Sequence, residues 1–345
     1  MVRGIKGHMA TTNIPKLKNM VLKGKVVLVT GGTGTFGQAL AKRLLHDDQI
    51  KKLIIFSRDE FKQYHMQQSI DDPKKKLRFF IGDIRDKPRL DRAFRGVDVV
   101  VHAAALKQVP AIEYNPTEAI KTNIDGSQNV IDAALDARVS KVLLVSSDKA
   151  VQPINLYGAT KLAAEKLFVA ANVYSDPSHP TALSVVRYGN VVGSRGSFIE
   201  LLRTQRQTGT ITLTHEKMTR FWITIENVMD VVLENLSLMR GGEIFVPKMG
   251  NMSVVDVVKM LTPECAVRVT GIRPGEKLHE VLITEYEAPR THDIGYAYVI
   301  KPEFLPQTTT SWIDKKPRVD SNFVFASDNK VFQMKNEHAK KILVL

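Results

Sequence analysis

The sequence predicts an α/β fold, in which a doubly wound parallel sheet is followed by a smaller C-terminal lobe. From residue 25 onward, short apolar runs rich in β-branched residues alternate with amphipathic helical stretches, as in right-handed βαβ units. Near residue 190 this alternation stops and the elements become shorter. We therefore expect a basic extension at 1–20, a sheet domain at 21–189, a lobe at 190–300 and an arm at 301–345.

The composition is that of an ordinary globular protein. The 345 residues are 43% apolar and 25% charged. The single cysteine, Cys265, excludes an intramolecular disulfide and a metal site built on thiolates, and we expect no metal. We find neither a signal-peptide pattern nor an apolar run of about 18 residues, so we expect a cytoplasmic protein without membrane association.

The charge balance is basic, because Lys and Arg outnumber Asp and Glu by 49 to 36, a formal net charge of +13. Such an excess is typical of nucleic-acid binding. The first 25 residues, however, contain Lys and Arg but no acid, which indicates an expression remnant or a loose extension. The remaining excess favours a polyphosphate-bearing small ligand, and we expect no nucleic-acid partner.

A glycine-rich turn follows the first predicted strand, residues 25–29. Three glycines in a GxxGxxG spacing lead from that strand into a helix predicted over 38–45. Glycines permit a tight turn and a close backbone approach, and a helix N-terminus favours a pyrophosphate, as in the Rossmann dinucleotide fingerprint. The residues expected to bind the dinucleotide here are Gly31, Thr33, Gly34, Thr35, Phe36 and Gly37.

Polar residues follow the next two predicted strands. Ser57 and Arg58 at the end of the second strand favour the 2′-phosphate of NADP, whereas Asp59 keeps the ribose hydroxyl of NAD open. Asp83 and Ile84 follow the third strand. The carboxylate of Asp83 is expected either to accept a hydrogen bond from an adenine amino group or to cap the next helix.

Small residues, Ala103 and Ala104, follow the fourth strand, where they would let a flat cofactor lie close to the backbone. We expect His102 to be a packed histidine at the strand end rather than a catalyst. Lys107 is expected to contact cofactor or substrate. Asn123, a polar residue within the helical pattern that follows, is expected beside the cofactor site or bonded to a neighbouring turn.

Four proton-transfer groups follow the fifth predicted strand, residues 141–146. Asp148 and Lys149 lie just beyond its carboxyl end, the edge where open parallel sheets bind ligands. Tyr157 and Lys161 are four residues apart on a predicted helix, so they share one face. A phenol with a pKa of about 10 becomes a usable base when a neighbouring ammonium and a nicotinamide cation lower that pKa.

The glycine fingerprint, the YxxxK pair and the late lobe together resemble extended short-chain dehydrogenases/reductases that act on nucleotide sugars. The Ser-Asp-Lys-Ala stretch at 147–150 and the motifs at 153–161, 187–191, 218–222 and 273–277 are similar to those of the inverting UDP-N-acetylglucosamine 4,6-dehydratases. Ordinary sugar 4,6-dehydratases carry Thr-Asp-Glu where this chain has Ser-Asp-Lys. Lys149 is therefore the residue that distinguishes the subfamily.

The resemblance implies a tightly bound NADP that is recycled in place, with UDP-N-acetylglucosamine as substrate. It implies that Tyr157 takes the C4 hydroxyl proton while hydride passes from C4 to NADP⁺. Lys149 then removes the C5 proton, and protonated Asp148 donates to the departing C6 hydroxyl. Hydride returns to C6 and the C5 proton returns to the opposite face, which gives UDP-2-acetamido-2,6-dideoxy-β-L-arabino-hex-4-ulose, a precursor for surface polysaccharide or pseudaminic acid.

This chemistry demands unusual pKa values. The pKa of Lys149 must fall by about three units from its reference near 10.4 if the amine is to act as a base at neutral pH. Like charge from Lys161 and the nicotinamide is expected to lower it. Asp148 requires the opposite shift, which burial and exclusion of water can supply.

The resemblance also implies the substrate contacts and the assembly. Arginine forks match pyrophosphate oxygens, and a carboxylate can accept from ribose hydroxyls. A homo-oligomer, either a dimer or a hexamer, is implied, with helices near 118–137 and 162–171 as the interface. The residues expected at the substrate are Lys107, Lys149, Asn190, Val191, Arg195, Thr212, Arg220, Arg273 and Glu276.

Two alternatives stay open. A nucleotide-sugar 4-epimerase or a retaining 4,6-dehydratase fits the same scaffold, although it leaves Lys149 without a role. A dinucleotide-sensing or nucleic-acid-binding module would account for the basic charge. The presence of all four proton-transfer groups, Asp148, Lys149, Tyr157 and Lys161, argues against this second alternative.

Overall fold

The structure, a computed structural model, describes residues 20–304 and 307–343, with the side chains of residue 20 and residues 307–310 left out. The predicted basic extension at 1–20 lies outside the described residues apart from the backbone of residue 20.

Sixteen strands are formed within these residues. They are β1 (Val26–Thr30), β2 (Lys52–Ser57), β3 (Leu77–Ile81), β4 (Val99–His102), β5 (Lys141–Ser147), β6 (Ala182–Tyr188), β7 (Asn190–Val191), β8 (Thr210–Leu213), β9 (Thr219–Ile223), β10 (Ile244–Pro247), β11 (Gly250–Ser253), β12 (Ala266–Val269), β13 (Val281–Ile283), β14 (Thr291–Asp293), β15 (Ala297–Ile300) and β16 (Phe325–Ala326).

Twelve α-helices accompany the strands, together with short 3₁₀ turns and one π-helical turn at Lys121–Asp125. The helices are α1 (Thr35–His46), α2 (Glu60–Ser69), α3 (Lys87–Ala93), α4 (Val109–Tyr114), α5 (Pro116–Ile120), α6 (Gly126–Asp136), α7 (Leu156–Ala170), α8 (Phe198–Arg206), α9 (Ile225–Leu238), α10 (Val254–Leu261), α11 (Gln307–Asp314) and α12 (Asn336–Ile342).

Nine strands form one large sheet in the order β14, β15, β10, β6, β5, β4, β1, β2, β3. The neighbours from β10 to β3 pair in parallel, and only β15 runs antiparallel to its neighbours. The predicted doubly wound α/β sheet is thereby confirmed. Its strand order reverses between β1 and β4, and ligands bind at such a point beyond the carboxyl ends of the strands.

Both faces of the sheet are covered, which explains the apolar strands. Val27 and Val29 of β1 join one hydrophobic cluster with α1 and α9, whereas Leu28 joins the cluster on the other face with α3, α6 and α7. Successive residues of a strand point to opposite faces, so a strand buried on both faces is apolar at every position. The sequence pattern follows directly from this burial.

The predicted division at residue 190 differs from the structure. The helix α9 and the strands β10, β14 and β15 come after that residue, yet they complete the large sheet and its core. A separate lobe is formed around β7, β8, β9, β11, α8 and α10, with a hydrophobic core of its own. Long-range pairing of short strands, which a local pattern does not reveal, accounts for this difference.

The C-terminal arm contains regular elements. Its strand β16 pairs with β13, and its helix α12 has Lys340 and Lys341 in the last turn. Ala339 and Leu343 are buried in the core of the lobe. The helix α11 was not predicted, because its Gln-Thr-Thr-Thr start carries little helical signal. Across residues 20–304 and 307–343, none of the helices has both the length and the apolar character needed to cross a membrane.

A buried ion cluster ties the sheet to the segment before β14. The guanidinium of Arg187, at the end of β6, donates to Glu165 Oε2 of α7 at 2.7 Å, to Glu287 Oε1 at 3.1 Å and to the Leu282 carbonyl at 2.8 Å. Burial opposes its charge, but Glu165 and Glu287 outweigh burial and raise the pKa of Arg187. The cluster therefore joins one buried guanidinium to two carboxyl groups within the protein.

Replacing Arg187 by methionine should lower the free energy of unfolding by about 3–5 kcal/mol, because two carboxylates lose their buried partner. The matched control is Arg43→Met. Arg43 also pairs with two aspartates, Asp47 and Asp230, but its side chain is 34% exposed, against 2% for Arg187. The control should cost at most about 1 kcal/mol. Equal losses in urea denaturation would contradict this account.

Candidate active site

A cleft of about 1070 Å³ opens beyond the carboxyl ends of the central strands. The end of β5 lies at its middle. The glycine-rich turn and the ends of β2, β3 and β4 line one part, and the lobe lines the other. The predicted residues that line it are Gly31, Thr33, Gly34, Thr35, Phe36, Ser57, Arg58, Asp83, Ile84, Ala103, Ala104, Lys107, Lys149, Tyr157, Lys161, Asn190, Val191, Thr212, Arg220, Arg273 and Glu276.

The three glycines of the turn have different roles. Gly31 has a positive φ of 66°, and a Cβ there would lie 2.8 Å from the Ala104 backbone. Gly34 faces open space apart from one carbonyl and gives α1 no side-chain cap, so the first N–H groups of the helix stay free for an anion. Gly37 does not line the cleft. It packs helix against turn, since a Cβ there would come within 2.4 Å of Gly32. The turn thus fits a pyrophosphate.

The ends of β2 and β3 arrange the groups expected at the adenosine. Ser57 shares a 2.8 Å hydrogen bond with Thr33, and Arg58 lies 3.6 Å from Asp83. Asp59 is committed to α2, because it caps the helix at the Lys62 amide and pairs with the Lys62 ammonium. The next helix, α3, is capped by another aspartate, so Asp83 is not its cap. That alternative of the prediction is wrong.

Two polar residues organise the backbone behind the cleft. His102 is buried between Thr30 and Ser127, and burial lowers its pKa to about 3, so it is neutral and packed, as expected. Asn123 does not line the cleft. Its amide bonds both the N–H and the C=O of Leu106. The π-helical turn at this residue replaces the continuous helix expected over 118–137.

Tyr157 and Lys161 lie on the first turns of α7 and both line the cleft. Lys161 donates to the Val145 carbonyl at 2.7 Å, and burial lowers its pKa to about 8 although Glu165 opposes this. Burial raises the pKa of Tyr157, which the ammonium of Lys149 partly offsets. The expectation that the protein lowers the pKa of Tyr157 is therefore not met by its own groups.

Asp148 and Lys149 form an ion pair in the 3₁₀ turn after β5. Lys149 Nζ lies 3.0 Å from Asp148 Oδ1 and 3.5 Å from Asn190 Oδ1. Asp148 is fully buried, does not line the cleft, and leaves Oδ2 without a hydrogen-bond partner among the described residues. Burial would lower the pKa of Lys149, but the carboxylates of Asp148 and Glu280 raise it. The predicted fall in that pKa is wrong for the protein alone.

On the lobe side, some predicted contacts are already engaged within the chain. Arg220 is buried, and its guanidinium donates to the carbonyls of Thr219, Lys277 and Leu278. Glu276 accepts from the Arg273 amide, and Gln205 bonds to Thr212. Arg195 does not line the cleft. Its loop lies on the glycine-rich turn, where its amide donates to Thr35 and its carbonyl accepts from Lys107.

Two residues of the site were missed from the sequence. Ser147 lines the cleft and donates to Asp148 Oδ1 at 2.9 Å. Glu280 lies 3.6 Å from Lys149, although more than 130 residues separate them in the chain. The one feature of the sequence that could have indicated Glu280 is its position directly before the apolar strand β13. No cluster of His, Cys, Asp and Glu within the described ranges suits a metal ion.

Known proteins give the family context. An inverting UDP-N-acetylglucosamine 4,6-dehydratase of Campylobacter jejuni is 46% identical over 88% of this chain and 93% of its own. A UDP-glucose 4-epimerase of Rickettsia akari is 43% identical over 80% and 82%. The X-ray structure of Pen from Bacillus thuringiensis is 36% identical with a TM-score of 0.85, and the match covers 93% of this chain and 98% of that one.

The family model described as "Polysaccharide biosynthesis protein" matches residues 27–302, which include β1 from its second residue, the other eight strands of the large sheet, and the strands and helices β7, β8, β9, β11, α8 and α10 of the lobe. The glycine turn, the Tyr157–Lys161 pair and the Asp148–Lys149 pair all fall within this match. The chain belongs to the polysaccharide biosynthesis protein family of extended short-chain dehydrogenases/reductases.

Proposed function

We propose that this chain is an NADP-dependent UDP-N-acetylglucosamine 4,6-dehydratase that inverts C5. The observation that carries the proposal is the ion pair of Lys149 with the buried Asp148, 3.0 Å apart, beside a cleft that Lys149, Tyr157 and Lys161 line. A nucleotide-sugar-modifying enzyme of the dehydratase or epimerase type needs the tyrosine and lysine for C4. The second pair, Asp148 and Lys149, is needed only where the C5 proton and a water molecule are also removed.

The dinucleotide would lie between the glycine turn and the ends of β2, β3 and β4. Its nicotinamide would supply the acceptor and donor of hydride. Ser57 and Arg58 support NADP over NAD, because the acid that would select the ribose hydroxyl, Asp59, is already engaged in capping α2. The guanidinium of Arg58 is half exposed and its plane suits a phosphate.

Tyr157 takes the proton of the C4 hydroxyl as C4 is oxidised to a ketone. Its phenolate is disfavoured by burial and favoured by the ammonium of Lys149. Lys161, whose side-chain nitrogen donates to the Val145 carbonyl, lines the same cleft as Tyr157. The ketone at C4 makes the neighbouring C5 hydrogen acidic, which prepares the second proton transfer.

The Asp148–Lys149 pair supplies both groups that the elimination needs without gaining or losing a proton. One proton moves from Lys149 Nζ to Asp148 Oδ1 across their 3.0 Å contact, which leaves a neutral amine and a carboxylic acid. The neutral amine of Lys149 then removes the C5 proton. Once Asp148 is protonated, the carboxylate of Glu280 remains to raise the pKa of Lys149 and so strengthens this base.

Asp148 reaches the departing hydroxyl through Ser147. Ser147 Oγ bonds to Asp148 Oδ1 at 2.9 Å and also lines the cleft. Asp148 gives its proton to Ser147 as the serine hydroxyl gives its own to the C6 oxygen. The C6–O bond breaks, water leaves, and the electron pair of the C5–H bond forms the C5–C6 double bond. Return of hydride to C6 and of a proton to C5 completes the product.

The 4-epimerase is the second candidate, since relatives of that name are 43% identical. Epimerisation requires chemistry at C4 alone. Incubation of the purified protein with UDP-N-acetylglucosamine in deuterated water should give a product lighter by one water, with deuterium at C5. In ordinary water, NMR couplings of H5 should show the L configuration. UDP-N-acetylgalactosamine would contradict the proposal, and a D configuration would indicate a retaining dehydratase.

Replacing Lys149 by methionine should slow water loss by about 10²- to 10⁴-fold, the usual contribution of a general base. The C4 step should persist, visible as absorbance of the reduced nicotinamide. Lys166→Met, an exposed lysine of the same helix as Lys161, should leave water loss unchanged. Exchange of the C5 hydrogen at the wild-type rate in the Lys149 variant would remove this residue from the mechanism.

Replacing Arg58 by alanine should weaken NADP binding by about 10- to 100-fold, because a hydrogen bond to a charged group contributes about 1.5–3 kcal/mol. NAD binding should change little, since NAD has no 2′-phosphate. Titration calorimetry with both dinucleotides measures the two affinities. Equal losses for NADP and NAD would show that Arg58 does not read the phosphate.

A further inference from the structure

We propose that Glu280 is a positioning residue for Lys149, a second buried carboxylate that holds the ammonium and sets by its charge how Asp148 and Lys149 share their proton. This inference rests on the proposed function. It assigns a role to a residue that lies outside the motifs at 147–161 and 273–277.

The geometry surrounds the Glu280 carboxylate with cations. Oε1 lies 3.6 Å from Lys149 Nζ and 3.9 Å from Arg220 Nε, and Oε2 lies 3.6 Å from Lys277 Nζ. The side chain is only 3% exposed, and Oε2 has no hydrogen-bond partner among the residues described. A buried carboxylate oxygen without a hydrogen bond is costly, and the three nearby cations are the groups that offset this cost.

The described hydrogen bonds that hold this segment do not involve the carboxylate. The backbone N–H of Glu280 donates to Ser327 Oγ, which fixes the chain regardless of the side chain. Lys277 donates to the Val151 carbonyl and Arg220 to three carbonyls, so both cations are held by other contacts. Lys149 has no backbone carbonyl partner among the described contacts, and besides Asp148 it reaches the side-chain oxygen of Asn190 at 3.5 Å. Lys149 is therefore the cation whose protonation state the charge of Glu280 can change.

Other charged groups face the pair from each neighbouring element. Lys107, before α4, feels the charge of Lys149, as does Tyr157 on α7. His279 is turned to Thr219, with which it shares a 2.8 Å hydrogen bond. The ion pairs therefore join Asp148 and Lys149 to one further carboxylate, Glu280, and through it to two further cations, Arg220 and Lys277.

The charges around Lys149 determine in which direction the pH profile shifts when one of them is removed. The active pair carries one proton; it loses activity at low pH by gaining a second and at high pH by losing the first. A nearby negative charge favours every protonated form. Removing the charge of Glu280 therefore moves both limbs of the pH profile to lower pH. Removing the positive charge of Lys277 moves both limbs to higher pH.

The experiment measures the pH profiles of water loss and C5 exchange for Glu280→Gln, which keeps the shape of the side chain and removes its charge. Both limbs should shift down by about one unit or more, as expected for a charge within 4–6 Å. The Kd of UDP-N-acetylglucosamine should stay within a factor of about three, which separates a role at Lys149 from one in binding. Glu280→Asp, which retains the charge, should restore most of the profile.

The matched control is Glu234→Gln, another buried glutamate, which lies on α9 outside the cleft and should leave the profile in place. Where Glu280→Gln does not fold, Lys277→Met tests the same cluster with the opposite expected shift. If both limbs of the pH profile in the variant that folds coincide with those of the wild type, the inference is overturned. A wild-type protein that turns over UDP-N-acetylglucosamine without water loss would instead overturn the proposed function.

Discussion

The buried charge of Arg187 is the constraint on which the geometry of the cleft depends. Its guanidinium bonds Glu165 of α7, the helix that also carries Tyr157 and Lys161, and it bonds Glu287 and the Leu282 carbonyl from the segment after the lobe. Because an unpaired buried charge costs several kcal/mol, these elements stay together. A 2.5 Å bond from Ser146 to Glu165 brings the end of β5 into the same cluster.

The two sides of the cleft also meet directly at its middle. Asn155, which caps α7, donates to the Gly275 carbonyl at 2.8 Å, and Lys277 donates to the Val151 carbonyl at 2.5 Å. The turn that carries Asp148 and Lys149 is thus bracketed by the segment 273–280. Substrate-side residues and proton-transfer residues are therefore positioned by the same contacts, and a shift of one set moves the other.

Local signals in the sequence were sufficient for the first six strands of the sheet, the glycine turn and the Tyr157–Lys161 pair. Each of these depends on neighbours within a few residues, such as strand burial or helix spacing. What failed depends on contacts between distant segments. The strands β10, β14 and β15 return to the large sheet, Arg220 is held by backbone carbonyls, and Glu280 lies beside Lys149. Assembly as a dimer or hexamer stays a prediction.

The pKa of Lys149 is raised and not lowered, and this direction alters how the proposed chemistry is understood. A base with a low pKa would have to lose its proton to solvent, whereas a lysine paired with Asp148 needs only to pass its proton 3.0 Å to the neighbouring carboxylate. Water stabilises the ionic form of such a pair more than the neutral form. The Lys149 side chain is still 27% exposed to the cleft. On the proposed function, a substrate that covers this surface removes that water and so shifts the pair toward the neutral amine and acid, which makes binding itself the step that prepares the base.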